Sequence, residues 1–274
     1  VKQGERGLRQ SDAVFQHTVN MPRLCKELEF DVPKAVGVST RPRNVDGSYM
    51  PCFLVGENVA TVLSSVNNVP MYKTSHQVGH ILAALYSADM LELINQRFIA
   101  FHLSGGTTEA LIVEPDDGEI IKATVVAQST DLKAGQAVDR TGVMLGMTFP
   151  CGKELDTLSQ KSEKNYKIKP TMLDGDCSLS GVENKARNMI DKDEPAQDVA
   201  KFVLTYIAET VSSMVGGVVD RYGHLPVVFS GGVASNSLLR KIINERYNAY
   251  FAESEFSLDN AAGTAIYAYL KDNR

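Results

Sequence analysis

The chain has 274 residues, with 28 Lys and Arg against 33 Asp and Glu for a formal net charge of -5. That length suits one large domain or two lobes with buried cores. The acidic balance and the lack of a long basic run argue against an extensive nucleic-acid surface on this chain alone, leaving room for a local groove or a basic partner. Four scattered cysteines, Cys25, Cys52, Cys151 and Cys177, form no C-x-x-C pair and read as reduced thiols of a cytoplasmic protein. No signal peptide and no apolar run long enough to span a membrane is expected. The chain opens on Val1 rather than methionine, as a processed protein or one whose native start is missing would.

Residues 1–20 are polar, and Gly4 and Gly7 suggest a loop. Apolar residues near helical spacing, Val14, Val19, Leu24 and Leu28, predict two short helices meeting at Pro22. A buried strand follows at 34–39 and leads into a loop over 40–50 rich in Arg, Pro, Gly and Asn. A helix over 53–65, a strand over 69–74 and a helix over 75–88 come next, an alternation that argues for α/β architecture. Strands at 98–103, 110–115 and 120–126 form a meander that begins a second lobe. Helix is expected from Asp131 through Gly146, then irregular chain over 153–193 and a long amphipathic core helix over 197–222. A strand at 225–229, a helix from about Asn236 to Tyr247 and a last helix opened by Asp259 complete the pattern.

The third helix carries His76 and His80 in S-H-Q-V-G-H. Four residues apart at helical pitch, both imidazoles can reach one cation, although any two histidines can fall at this spacing by accident. The zinc-protease pattern H-E-x-x-H is not met, because Gln77 stands where the general-base glutamate belongs. Two strands end in Ser-Gly-Gly: residues 104–108, S-G-G-T-T, and residues 230–236, S-G-G-V-A-S-N. Glycines there expose backbone N–H groups to an anion, and the second turn also feeds a helix N-terminus. One such turn is more often an ordinary hairpin; two together point to a nucleotide. Asp131, Gly135 and Asp139 lie at helical spacing and suit either a ribose diol with a close-packed ligand or a plain solvated helix. His102 shares a strand face with Ser104, as an added ligand or as a packed strand residue. Asp259 reads as a helix N-cap or equally as a metal carboxylate.

Six motifs in register, H-Q-V-G-H, S-G-G-T-T, D-x-x-x-G-Q-x-x-D, F-P-C-G, S-G-G-V-A-S-N and D-N-A-A, resemble the tRNA threonylcarbamoyladenosine transferase family, formerly the glycoproteases, within the actin-like ATPase superfamily. The resemblance implies a two-lobed actin-like, ribonuclease H-like α/β fold whose first lobe lacks its opening hairpin. The first lobe would span 1–96 and be completed by 259–274; the nucleotide-binding second lobe would span 97–258. It implies one divalent metal, iron or zinc, on His76, His80 and Asp259, with His102 added because it fills a position that holds a tyrosine ligand in some members. Ser104, Gly105, Gly106, Thr107 and Thr108 would face the phosphates of an adenylate, with Gly231 and Gly232 as a second glycine turn. Asp139, Gly152 and Asn236 would hold ribose and base, with Asp131 and Gly135 beside them.

The implied reaction is transfer of a threonylcarbamoyl group from threonylcarbamoyl-adenylate to an adenosine of tRNA, in a cytoplasmic protein with small partner proteins. Gln136 replaces the family's usual glutamate, Cys151 a usual glycine, and Arg41-Pro42-Arg43-Asn44 a G-P-G loop, which admits a paralogue with another acceptor. The competing classes are an ATPase or small-molecule kinase of the same fold and a non-catalytic nucleotide-binding partner. Proteolysis is set aside for want of a base or nucleophile.

Overall fold

The computed structural model describes residues 9–28, 31–257 and 259–274, so the expected loop around Gly4 and Gly7 lies outside the described residues. The chain divides into two units. The first runs to Ala83 and takes in Asp116–Lys122 and Asn260–Arg274; the second comprises Ala84–Pro115 and Ala123–Asp259.

In the first unit α1 (Gln10–Glu27) is one continuous helix with Pro22 inside it, not two helices meeting at the proline. Proline removes the N–H that would bond the carbonyl of Thr18. No residue of α1 is buried, so water can satisfy that carbonyl and the helix continues. β1 (Val36–Arg41) follows, then α2 (Phe53–Asn67), β2 (Met71–Ser75) and α3 (His76–Ser87). β1 and β2 pair in parallel. The chain passes into the second unit within α3, at Ala83 and Ala84.

The second unit is built on β3 (Phe98–Leu103), β4 (Thr108–Asp116) and β5 (Ile120–Gln128), except that the end of β4 and the start of β5 belong to the first unit. Four helices and a small hairpin come next: α4 (Ala134–Met144), α5 (Gly152–Ser159), β6 (Thr171–Leu173), β7 (Asp176–Ser178), α6 (Ser180–Ile190) and α7 (Ala196–Tyr222). β8 (Val227–Ser230), α8 (Ser237–Asn244) and β9 (Ala249–Phe251) complete it, and α9 (Ala262–Asp272) belongs to the first unit. The five-stranded sheet runs in the order β5-β4-β3-β8-β9. β3 is antiparallel to β4 and parallel to β8, which is parallel to β9. A ladder of aromatic rings ties the parallel strands together: Phe101 stacks on Phe229 at 4.9 Å, and Phe229 on Phe251 at 4.8 Å.

α7 lies among α4, α5, α6 and α8 and buries Phe202, Tyr206, Ile207, Met214 and Val215. It is long and apolar enough to cross a membrane, contrary to the expectation of no such run. However, 78% of that apolar window is buried inside the protein, which is how a core helix meets the same measure. The stretch 153–193 is more ordered than its polarity suggests, since α5, the β6–β7 hairpin and α6 all lie in it.

Candidate functional site

Within the first unit, α3 brings the Nε2 atoms of His76 and His80 to 3.0 Å. Phe53 at the start of α2 packs edge-on to the His76 ring at 5.8 Å. Two cis nitrogens on one ion, at metal–nitrogen distances of ~2.1 Å, stand ~3 Å apart. The donor pair therefore fits a divalent cation. The first turn of α3 is set by two hydrogen bonds, from the N–H of Gln77 to the carbonyl of Pro42 at 3.0 Å and from the N–H of Val78 to Ser75 Oγ at 3.2 Å.

The helix that follows Asp259 meets α3 between the two histidines. A Cβ on Gly263 would overlap the backbone of Gly79, so α9 crosses α3 at a distance only a glycine permits. α9 begins at Ala262 with Ala261 in the N-cap position, so Asp259 does not cap it as expected. Asn260 takes that work, its Oδ1 accepting the N–H of Ala262 at 2.9 Å. Asp259 is an exposed bend residue, four positions from the Gly79–Gly263 crossing.

The second unit gathers the two glycine turns. His102 pairs with Ser230 in the parallel register of β3 and β8, so both Ser-Gly-Gly turns leave the same end of adjacent strands. In the first turn Ser104 Oγ accepts the N–H groups of Gly106 at 3.3 Å and Thr107 at 3.1 Å. Gly105 and Gly106 are exposed, and nothing lies within 4 Å of where their Cβ atoms would be. α4 presses on this turn from behind: the N–H of Gly135 donates to the Ser104 carbonyl at 3.2 Å. A Cβ on Gly135 would stand 2.6 Å from the Gly105 nitrogen. Thr108 is buried, and its hydroxyl accepts the N–H of Ala134 at 2.8 Å.

In the second turn Gly231 has φ 92°, and a Cβ there would overlap the backbone of Leu103. Asn236 caps α8, its Oδ1 accepting the N–H of Leu239 at 3.0 Å. Ser230 Oγ donates to the Phe101 carbonyl at 3.3 Å and lies 3.0 Å from His102 Nδ1.

Asp139 Oδ1 accepts the N–H of Cys151 at 2.9 Å, at the start of α5 and next to Gly152. Burial pushes its carboxyl above the ordinary range, with that one hydrogen bond pulling the other way. Asp131 faces the lobe's own backbone. Its carboxylate accepts the N–H of Leu132 at 2.6 Å, the N–H of Leu179 at 2.8 Å and the Ser178 hydroxyl at 2.6 Å. Burial alone would raise its pKa, but hydrogen bonds from Ser178, Leu179, Ser180 and Leu132 hold it well below the usual carboxylate range.

Glu109 and Glu119 were not singled out by the sequence, and Gln136 was only as a departure from the family's usual glutamate. Glu109 is a buried carboxylate paired in register with His102; counting in twos back from β4 would have placed it on the histidine's face. Gln136 accepts the N–H of Lys133 at 3.2 Å, an N-terminal cap readable from its place three residues into α4. Glu119 gathers Arg41, Asn44 and Tyr267, each at 3.3 Å. That anchors the loop whose Pro42 carbonyl starts α3, and no local sequence signal announces it.

The α/β chain with its mixed five-stranded sheet has the two-lobed actin-like fold. Two structures carry the fold comparison: T. kodakarensis HypF superposes with a TM-score of 0.64 at 12% identity over 94% of this chain. Full-length HypF in its phosphate- and nucleotide-bound form gives 0.60 at 13% over 93%. This chain spans 43% and 49% of those two proteins.

The chain belongs to the TsaD family, tRNA N6-adenosine threonylcarbamoyltransferase, whose profile matches residues 16–266. Relatives of that name include one from Kosmotoga olearia, 31% identical over 81% of this chain and 68% of its own length. Another, from Thermosipho africanus, is 31% identical over 93% of this chain and 77% of its own.

Proposed function

We propose that this chain transfers a threonylcarbamoyl group from threonylcarbamoyl-adenylate to the exocyclic amine of an adenosine in tRNA. The observation that carries the reading is the pair of Ser-Gly-Gly turns leaving one end of paired parallel strands, in a member of the TsaD family. The exposed Gly105–Gly106 backbone and the N-terminus of α8 stabilise the phosphate of the departing AMP. Asp139, with one carboxylate oxygen on the Cys151 N–H, offers the other to a ribose hydroxyl. Gly152 and the side-chain amide of Asn236 line the base. The Ser104 hydroxyl, which holds the Gly106 and Thr107 N–H groups, keeps the turn in shape while the phosphate leaves.

His76, His80 and Asp259 are the proposed holders of one divalent ion, with His102 proposed as an added ligand. Imidazoles with a carboxylate suit iron, zinc or manganese. When bound, such an ion supplies polarisation of the carbamoyl or carboxylate oxygens of the donor. The amine nitrogen bonds to the carbamoyl carbon as the bond from that carbon to the AMP phosphate oxygen breaks, the amine's proton is released to solvent, and no protein nucleophile is required.

The test is elemental analysis of untagged protein, paired with transfer from threonylcarbamoyl-adenylate to a tRNA transcript. Wild type is expected to carry one ion per chain, and His76→Ala and Asp259→Ala to lose both ion and transfer while remaining folded, as checked by circular dichroism. Stoichiometric adenylate binding without transfer would discard the tRNA acceptor and leave a paralogue with another substrate. Metal content indifferent to both substitutions would discard the ligand set.

A further inference from the structure

An open groove of about 460 Å³ lies along α5, beyond the residues assigned to adenylate. Met147, Pro150 and Leu158 supply its apolar surface, Lys153 and Lys161 stand on it, and Glu154 adds one opposing charge. Phe149, next to Pro150, is 67% exposed. Lys161 opens the run K-S-E-K-N-Y-K-I-K, which carries four lysines against one glutamate in a chain whose net charge is -5. Lys164 is committed to Asp198 at 2.9 Å and Glu194 at 3.4 Å, while Lys153, Lys161, Lys167 and Lys169 are exposed. An exposed aromatic ring beside lysines on a partly apolar groove is the combination that holds unpaired nucleotides, with bases stacked on the ring and phosphates on the cations. A peptide would find one ring and a surplus of like charge; a duplex would offer no base for Phe149. Lys153, which lines the groove, directly follows Gly152, one of the proposed base contacts.

We propose that this groove receives the single-stranded loop of the acceptor RNA, with a base stacked on Phe149 and backbone phosphates against Lys153 and Lys161. The proposal rests on the transferase reading for the identity of the RNA, and on the groove alone for its position.

The experiment is fluorescence anisotropy of a labelled anticodon stem-loop with the full chain between 50 and 200 mM salt, run on wild type, Phe149→Ala and the double variant Lys153→Gln/Lys161→Gln. Each lysine–phosphate contact on a single strand adds about 0.7 to the log–log salt slope. The double variant is therefore expected to lose about 1.4 of slope and roughly tenfold in affinity at 0.1 M salt. Phe149→Ala is expected to lose about tenfold with its slope unchanged, since stacking is not ionic. Adenylate affinity and the unfolding temperature should match wild type in both, which separates a lost RNA contact from a damaged fold. Wild-type affinity and slope in both variants would overturn the proposal, as would equal binding of a blunt duplex that ignores Phe149→Ala. Wild type that binds the loop through these residues yet transfers nothing keeps the groove and removes the transferase reading. Transfer to tRNA that survives all three substitutions keeps the transferase and removes the groove.

Discussion

The two Ser-Gly-Gly turns share a sequence and leave adjacent strands, yet they are built on opposite terms. In the second turn the fold itself demands the glycine: Gly231 sits at φ 92° with the Leu103 backbone where a side chain would go. In the first, Gly105 and Gly106 face open space, and the Ser104 hydroxyl holds the turn's shape. A glycine can therefore be present because the protein's own backbone comes close or because something else must. Geometry separates the two cases, where the letters S-G-G do not.

That contrast can be broken most forcefully at the second turn. Gly231→Ala forces an alanine into a left-handed conformation and against a neighbouring strand, and is expected to cost about 3 kcal/mol in urea unfolding. A loss below about 0.5 kcal/mol would mean the two turns are interchangeable.

Next in size is Asp131, which fastens the approach to α4 behind the first turn. Asp131→Asn is expected to cost about 2 kcal/mol at pH 7. The folded carboxyl has its pKa depressed, so its stabilisation is present above the ordinary carboxylate pKa of about 4 and fades as pH falls below it. Unfolding followed from pH 7 to pH 2 should show wild type losing its advantage over the variant across that acid window; a constant gap would show that the charge is not the cause.

The smallest effect on stability is expected from Gly105→Ala, within about 0.5 kcal/mol of wild type because no neighbour is displaced. Calorimetric titration of adenylate should nonetheless weaken about tenfold, a methyl group standing at the proposed phosphate position. Unchanged affinity would move the phosphate elsewhere.

The sequence made the architecture legible where periodicity and punctuation agree. The strand and glycine turn around 98–108, and the strand, glycine turn and helix around 225–244, could be read because apolar runs end abruptly in Gly-Gly. The single helix through Pro22 was not legible, since whether a proline ends a helix depends on whether water or protein faces the orphaned carbonyl. The order in 153–193 was hidden for a similar reason: α6 buries only Val182 and Ala186, too few apolar positions to show a period. The close approach of His76 and His80 on α3 was visible from their spacing alone. The role of Asn260 in capping α9 was not, because neighbouring Asp and Asn residues are both good caps and only the chain path chooses between them.

The crossing of α9 over α3 has a consequence for biosynthesis. β1 meets α9 where a Cβ on Gly37 would overlap the carbonyl of Thr264, and the histidine helix meets it at Gly263. The first unit is thus assembled from stretches separated by most of the polypeptide. During vectorial synthesis, residues 84–115 and 123–259 are made in full before residues 260–274 can dock. A nascent chain halted before Asn260 would display the two histidines without the helix that closes over Gly79. The packing of α9 on α3 therefore forms only after the residues of the second unit have been made, and a chain halted before Asn260 should show α3 opening more readily than it does in the full chain, as read by hydrogen exchange.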